Sequence, residues 1–142
     1  MQMNENPIWS KVETKREAFI GLADRIFDMP EIAYTETRSC AEHTQMLRAE
    51  GFRVTQNAAG IPTAVIGEAG QGGPVIAILG EYDALPGLSQ KPGLAEPKMV
   101  DTSGFGHGCC HNLLGSAAML AATAIKDWIE AEGIEARVRY YG

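Results

Sequence analysis

A continuous apolar run near the middle of this 142-residue chain is the feature that most constrains its fold. The run is Pro74-Val75-Ile76-Ala77-Ile78-Leu79-Gly80. Because no polar residue alternates with the apolar ones, the pattern is typical of a strand that is buried on both faces. The run therefore predicts a central strand.

Two helical patterns precede this strand. Ser10 and Glu13 have the spacing of a capping box, so we expect a helix from Ser10 to about Asp28 that ends before Pro30. A second helix is predicted from residue 35 or 36 to Gly51, a good residue for a helix C-terminus. The inward face of this second helix is expected to carry Cys40, Ala41, Met46 and Leu47.

A third helix and several short strands complete the pattern. Asn112 is expected to cap a helix from Leu113 to about Glu132, and Gly133 to stop it. Short strands are predicted over 52–55, 63–66 and 136–141, and a long irregular loop is predicted from Pro86 to Gly106. This order predicts a single α/β domain with part of its sheet parallel.

The stretch from His107 to Asn112 is the strongest chemical signal. It holds two of the three histidines and two of the three cysteines of the chain. Thiolate and neutral imidazole bind Zn²⁺ or Mn²⁺ well, and the start of a helix favours both forms. The sequence therefore predicts a divalent metal site with Cys109 and His111 as ligands.

Other interpretations of this stretch stay open. The residues could form a buried loop in which Cys and His are incidental. Adjacent Cys109 and Cys110 could form a redox pair, although they lack the Cys-x-x-Cys spacing of thioredoxin-like sites. Only one of the two thiols can easily face the same metal ion as His111, and Cys110 is the expected bystander.

Acidic residues follow the apolar strand. Ligands collect beyond the carboxyl ends of such strands, and alternation would place Glu81 and Asp83 on one side of the chain. One of them could bind a metal or hold a ligating imidazole in place. A solvated acidic turn is the alternative. Glu31 and Glu36 are interpreted as acids at the start of a helix.

Composition excludes several classes of function. The net charge of −6, with no cluster of Lys or Arg, argues against nucleic-acid binding. The polar N-terminus does not resemble a signal peptide, and the apolar stretch from Leu113 to Ile125 is too short to cross a membrane. Three cysteines, two of them adjacent, favour a cytoplasmic, reducing compartment over a disulfide framework.

Two segments together resemble the M20 family of metallopeptidases and amidohydrolases. They are Gly80-Glu81-Tyr82-Asp83-Ala84-Leu85-Pro86-Gly87-Leu88-Ser89-Gln90 and Gly106-His107-Gly108-Cys109-Cys110-His111-Asn112-Leu113-Leu114-Gly115. Within the family, the chain is most similar to the branch with p-aminobenzoyl-glutamate and amino-acid-conjugate amidohydrolases. Pro30-Glu31, Glu36 and Gly51-Phe52 also fit, so the resemblance extends from about residue 15 to the end.

The resemblance implies the N-terminal portion of a zinc-peptidase-like catalytic domain, a mixed sheet flanked by helices. Residues 1–142 would form this portion, without the inserted dimerisation domain and the C-terminal half. It implies a hydrolase with two divalent ions, Zn or Mn, that cleaves amide bonds in N-acyl amino acids or short peptides. The family pattern assigns metal ligation to Cys109 and His111 and an active-site role to Asp83, with the role of Glu81 open. Expected partners are the small substrate and a second copy or a complementary hydrolase subunit.

Two departures from the family pattern lead to further expectations. The branch usually has glycine at the position of Cys110, where a side chain could crowd a tight turn or add a competing thiolate. A strand like Val138 to Tyr141 usually leads to a Glu-Glu pair that contains the general base, which this chain lacks. We therefore expect little or no turnover by this chain alone. A non-catalytic, metal-binding or self-associating module is the alternative.

Overall fold

The computed structural model describes residues 6–100 and 102–142 of the chain. Two helices come first, five strands follow, and a third helix precedes the last strand. In chain order they are α1 Pro7–Phe27, α2 Thr37–Ala49, β1 Arg53–Gln56, β2 Val65–Gly70, β3 Val75–Leu79, β4 Leu85–Pro86, β5 Phe105–Gly106, α3 His111–Glu132 and β6 Arg137–Tyr141, with a short 3-10 turn at Ala58–Gly60. No helix in the described part of the chain is both long enough and apolar enough to span a bilayer.

The main sheet has four strands in the order β1-β2-β6-β3. β1 pairs antiparallel with β2, and β2 pairs antiparallel with β6. β3 pairs parallel with β6, with Ile76 opposite Val138. α3 lies between β3 and β6 in the chain and provides the crossover that a parallel pair requires. The predicted mixed sheet of an α/β fold is confirmed.

One face of the sheet is buried against α2 and α3, and α1 packs on these two helices. Alternate residues of the neighbouring strands point to this face because side chains in a strand alternate in direction. The core contains Phe19, Leu22, Ile26, Cys40, Leu47, Phe52, Val65, Ala69, Tyr82, Met119, Ala122, Val138 and Tyr140. On the strands, intervening positions carry charged pairs, such as Glu68 between Arg53 and Arg139. The prediction that Cys40 is a buried apolar residue is confirmed.

Two predicted helix starts are wrong. α1 begins at Pro7, and its cap is Asn6, whose Oδ1 accepts a hydrogen bond from the backbone of Ile8. Ser10 lies inside the helix and donates to the Pro7 carbonyl. α3 begins at His111, one residue before its predicted cap Asn112. α1 starts early because the fixed φ of Pro7 suits the first turn of a helix. Asn112 does not cap α3 because its side chain is engaged in a tertiary contact.

The second helix lies where it was expected, but its inward face differs. Cys40 and Leu47 are buried, whereas Ala41 is exposed. The helix also buries polar side chains, those of Ser39, His43 and Thr44. The pattern of apolar residues could not indicate this, because buried polar groups carry no hydrophobic signal.

The expectation that β3 is a central strand buried on both faces is also wrong for the described residues. β3 pairs with β6 on one side and has no neighbour on the other. Val75, Ile76 and Leu79 are 38%, 43% and 73% exposed. The apolar run predicted the strand correctly but not its place in the sheet. Hydrophobic residues indicate that a strand can be buried, but they do not indicate which neighbouring strands are present.

Candidate metal centre

The candidate site lies beyond the carboxyl end of β3. The chain leaves this strand at Leu79 and continues through Gly80 to Glu81, Tyr82 and Asp83. Tyr82 is buried and its hydroxyl donates to the Thr63 carbonyl, so it fixes the short segment to the body of the domain. Because alternate side chains point the same way, Glu81 and Asp83 face away from Tyr82 and toward the start of α3.

His111, the first residue of α3, lies between these two carboxylates. Its Nδ1 is 2.7 Å from Asp83 Oδ1, and its Nε2 is 3.1 Å from Glu81 Oε2. The His111 and Asp83 side chains are about four-fifths buried, whereas that of Glu81 is 56% exposed. One ligand atom from each of the three residues lies within 4.8 Å of the others.

This geometry fits a divalent cation. A neutral imidazole has a single N–H, so only one ring nitrogen of His111 can donate to a carboxylate. The other nitrogen faces a carboxylate oxygen, and a second proton or a metal ion must lie between the two. Two ligand atoms of one ion are about 3.0–3.4 Å apart at angles of about 90–110°. The 3.1 Å between His111 Nε2 and Glu81 Oε2 lies in this range.

Asp83 has the position of a group that orients the imidazole. An Nδ1–H donated to Asp83 leaves the Nε2 lone pair free on the side of Glu81. Carboxylates that hold ligating histidines in this way are common around metal ions in proteins. The arrangement suits the active-site role expected of Asp83, and that role stays a prediction.

The N-terminus of α3 is tied to the end of α1. Asn112 Nδ2 donates to the Ala23 carbonyl at 3.1 Å. His107 is 5% exposed, and its Nε2–H donates to the Ile26 carbonyl at 3.1 Å. Burial lowers the pKa of His107. These bonds hold both ends of the segment that carries His111, which gives His107 and Asn112 positioning roles.

A close approach between α3 and the segment after β3 depends on Gly115. A Cβ at this position would collide with the Glu81 carbonyl oxygen and would lie 3.1 Å from the ring of His43. The helix can therefore pack directly against the backbone of Glu81. This contact brings the first turn of α3, with His111, beside the two carboxylates.

The two cysteines between His107 and Asn112 are not part of the cluster around His111. Cys109 and Cys110 are both exposed, and neither is among the three residues whose ligand atoms cluster. Metal ligation by Cys109 therefore stays a prediction. Cys110 adopts a left-handed conformation, with φ of 64°, immediately before α3. Few residues other than glycine adopt this conformation, so the expected conflict between this tight turn and a side chain is present.

A third histidine lies behind the site and was missed by the sequence analysis. His43 is fully buried, and neither ring nitrogen has a hydrogen-bond partner among the described residues. Its ring lies 4.5 Å from that of Tyr82 and stacks at 6.1 Å on that of Tyr140. Burial lowers the pKa of His43 to about 3, so the ring is neutral at pH 7. A lone histidine in a helical pattern gives no signal for such a role.

Sequence comparisons connect the chain to known hydrolases. It is 49% identical over 131 residues to a subunit of the p-aminobenzoyl-glutamate hydrolase of Escherichia coli, and the match covers 92% of this chain and 27% of that protein. It is 29% identical to Xaa-Arg dipeptidase of Mus musculus over 85% of this chain and 26% of the relative. The chain thus spans about a quarter of the length of these relatives. No protein-family model matches it.

Solved structures share the fold. The dinuclear metal-binding peptidase YXEP of Bacillus subtilis, from the M20 family, aligns with a TM-score of 0.72 and 23% identity, over 91% of this chain and 35% of that one. An aminobenzoyl-glutamate utilization protein of Klebsiella pneumoniae aligns with a TM-score of 0.61 and 12% identity, over 96% and 38%. Together with the 49% identical relative, these matches confirm the resemblance to the M20 family.

Proposed function

Starting from this relationship to the M20 family, we propose that the chain contributes a divalent metal site to a hydrolase of amide bonds in N-acyl amino acids or short peptides. The placement of His111 between Asp83 and Glu81 is the observation that carries the proposal. The name of the E. coli relative suggests p-aminobenzoyl-glutamate or a similar conjugate as substrate. Residues 1–142 are proposed to be the N-terminal part of the catalytic domain.

The described residues have distinct roles in this proposal. His111 Nε2 and Glu81 hold the ion, and Asp83 keeps the imidazole in the tautomer that leaves Nε2 free. Bound Zn²⁺ or Mn²⁺ supplies Lewis-acid chemistry toward the scissile carbonyl and the attacking water. The partly exposed Glu81 places the ion where a small substrate can reach it. Cys109, two residues before His111, is proposed as a further ligand.

A chimera tests this function. Residues 7–142 would replace the matching residues of the E. coli relative, and release of p-aminobenzoate from p-aminobenzoyl-glutamate would be measured with added Mn²⁺ or Zn²⁺. We expect metal-dependent hydrolysis, a decrease in kcat/KM of about 100-fold for His111→Ala and no change for the exposed control Asp24→Asn. Full activity of the His111→Ala chimera would contradict the proposal, as would an inactive chimera that folds and binds metal.

We further propose that the 142-residue chain has little turnover by itself. It contains no Glu-Glu pair, which the family resemblance makes the source of the general base. Purified chain incubated with p-aminobenzoyl-glutamate and metal should release no product above the buffer control. Clear hydrolysis would show that a residue of this chain accepts the proton.

A second candidate function is that of an interaction module, and the exposed edge of β3 favours it. The strand is entirely apolar, carries no charge and has an unpaired edge in the described structure. Such edges add strands from another chain, so a second copy or a complementary hydrolase subunit could pair there. Light scattering should show a dimer that Ile76→Lys converts to a monomer. A monomer in both cases would remove this candidate.

We also propose a cytoplasmic location. All three cysteines are free thiols, two of them exposed. Exposed adjacent thiols persist in a reducing compartment. Fractionation of the source cells tests this proposal.

A further inference from the structure

The backbone around Asp83 is held on both sides. On one side, the buried Tyr82 donates its hydroxyl proton to the Thr63 carbonyl. On the other side, the Ala84 N–H donates to the Glu31 carbonyl at 2.7 Å. A side chain that orients a metal-binding imidazole has to be held within about 0.5 Å of its working position. Both contacts therefore affect the geometry of the metal centre.

The second contact comes from the connection between α1 and α2. Residues 28–36 form neither a helix nor an extended strand in the described structure, and Ile32 makes an isolated parallel bridge with Ala84. Ala84 is 1% exposed, so the contact is shielded from water. Because regular secondary structure does not fix this connection, other hydrogen bonds must determine where the Glu31 carbonyl lies.

The Glu31 carboxylate supplies these hydrogen bonds. Its side chain is 10% exposed and accepts from the backbone N–H groups of Arg38 and Ser39 at 3.1 and 2.9 Å. The hydroxyls of Thr37 and Ser39 also donate to it, at 3.2 and 3.0 Å. Burial opposes its ionisation, but the bonds from Ser39 and Arg38 hold the pKa of Glu31 below its ordinary value. The carboxylate is therefore charged at pH 7 and fixed to the first turn of α2.

The start of α2 is a firm point of attachment. Cys40 and Leu47 place the helix in the core of the domain. Glu36 occupies the N-cap position of this helix but makes no capping bond with its side chain. Glu31 satisfies the backbone N–H groups there instead, and it lies outside the helix. The bonds that cap α2 thus also fix the connection that contacts Ala84.

We propose that Glu31 is a positioning residue of the metal centre, because its carboxylate is fixed to α2 while its carbonyl holds Ala84 and the adjoining Asp83 in place beside His111. The inference rests on the proposed metal site and adds to it a residue that is not in the cluster of ligand atoms. Without the carboxylate, the connection is free to shift. The 2.7 Å contact between Asp83 Oδ1 and His111 Nδ1 is then no longer maintained.

Glu31→Gln and the matched control Glu50→Gln test the proposal. Glu50 lies at the opposite end of α2, where it forms an ion pair with Lys15. We expect both variants to have a lower midpoint of thermal unfolding, and only Glu31→Gln to bind Mn²⁺ about tenfold more weakly in competition with a chelating dye. Equal Mn²⁺ affinities of the parent chain and Glu31→Gln would overturn the proposal. An equal loss in Glu50→Gln would also overturn it, because the effect would then reflect general destabilisation.

The tautomer of His111 gives a second measurement that needs no metal. Long-range ¹H–¹⁵N NMR spectra of the metal-free chain at pH 8 show which ring nitrogen carries the proton. We expect the proton on Nδ1 in the parent chain and in Glu50→Gln, and a mixture of tautomers in Glu31→Gln, because a displaced Asp83 no longer selects one of them. A proton on Nε2 in the parent chain, or an unchanged tautomer in Glu31→Gln, would overturn the proposal. The expected tautomers with no Mn²⁺ binding by the parent chain would contradict only the proposed metal site.

Ser39→Ala is the milder variant that decides the question if Glu31→Gln does not fold. It removes the hydroxyl that donates to the Glu31 carboxylate and keeps the backbone N–H bond. We expect Mn²⁺ affinity to decrease about threefold, with some loss of the Nδ1–H tautomer. Ser10→Ala is the matched control, since its hydroxyl donates to the Pro7 carbonyl within α1. Identical affinities and tautomers in Ser39→Ala and Ser10→Ala would overturn the proposal.

Discussion

His43 and His111 lie on opposite sides of the segment that follows β3, and their surroundings differ in almost every respect. His43 is fully buried among aromatic rings, and neither of its nitrogens has a partner in the described structure. Both nitrogens of His111 face carboxylate oxygens. The difference teaches that burial makes one imidazole a neutral packing group, whereas charged partners prepare the other to bind a cation.

Truncation of the two rings should reduce stability by different amounts. His43→Ala removes a fully buried ring, so we expect the free energy of unfolding to decrease by about 3 kcal/mol. His111→Ala should cost about 1 kcal/mol or less, because its contacts are partly exposed ion pairs. Urea denaturation of the metal-free chain at pH 7 measures both. Equal losses for the two variants would contradict the proposed difference.

Acid should destabilise the fold through His43. The unfolded ring binds a proton near pH 6.5, but the folded ring does so only near pH 3. The unfolded state therefore gains protons first as the pH decreases, and stability present above pH 6.5 is lost by about 1.4 kcal/mol per pH unit down to about pH 3.

His43→Phe isolates this contribution because it keeps a ring that cannot be protonated. Urea denaturation at pH 7, 6, 5 and 4 should show a flatter pH dependence for His43→Phe than for the parent chain. Other groups such as Glu31, whose pKa is lowered, affect both proteins equally. Parallel curves of unfolding free energy against pH would show that His43 does not contribute to the loss of stability in acid.

Removing the charge that orients His111 should weaken the metal site without disturbing the packing around His43. Asp83→Asn keeps an oxygen that can accept the Nδ1–H bond but loses the negative charge. We expect the affinity for Mn²⁺ or Zn²⁺ to decrease about 10–100-fold, with the exposed control Asp24→Asn unchanged. Competition with a chelating dye measures both affinities. An unchanged affinity would show that Asp83 has no part in the site.

The smallest expected effect concerns the turn that presents His111. Cys110 has a left-handed backbone with φ of 64°, a conformation that glycine adopts without strain. Cys110→Gly should therefore stabilise the chain by about 1 kcal/mol. Cys109→Gly is the matched control, since Cys109 is not among the residues with positive φ and gains no such relief. A destabilised Cys110→Gly would show that the Cys110 side chain contributes contacts that outweigh the backbone strain.

Some of this arrangement could be predicted from sequence because it depends on local rules. The sequence pattern shows an apolar strand followed by Glu81 and Asp83, and a helix start near His111. In a crossover between parallel strands, the carboxyl end of the strand and the start of the helix lie close together. The mixed sheet and the ends of α2 and α3 follow from similar signals. The residue types of the stretch around His111 predicted a metal site, and the family resemblance added the expectation of two ions and of an active-site role for Asp83.

The remaining features depend on tertiary contacts that leave no periodic trace. Gly115 matters only because α3 crosses the Glu81 backbone at close range. Asn112 was expected to cap α3, but its side chain bonds to the Ala23 carbonyl of another helix. Glu36 resembled any acid at a helix start until the structure showed that Glu31 forms the hydrogen bonds there. The exposure of β3 depends on which strands are present beside it.

Calorimetric titration of Mn²⁺ or Zn²⁺ into the purified chain tests most directly whether Glu81, Asp83 and His111 hold a divalent cation. We predict saturable binding that His111→Ala abolishes and His43→Phe leaves intact. The absence of binding by the parent chain, or equal affinities of the parent and His111→Ala, would contradict the account.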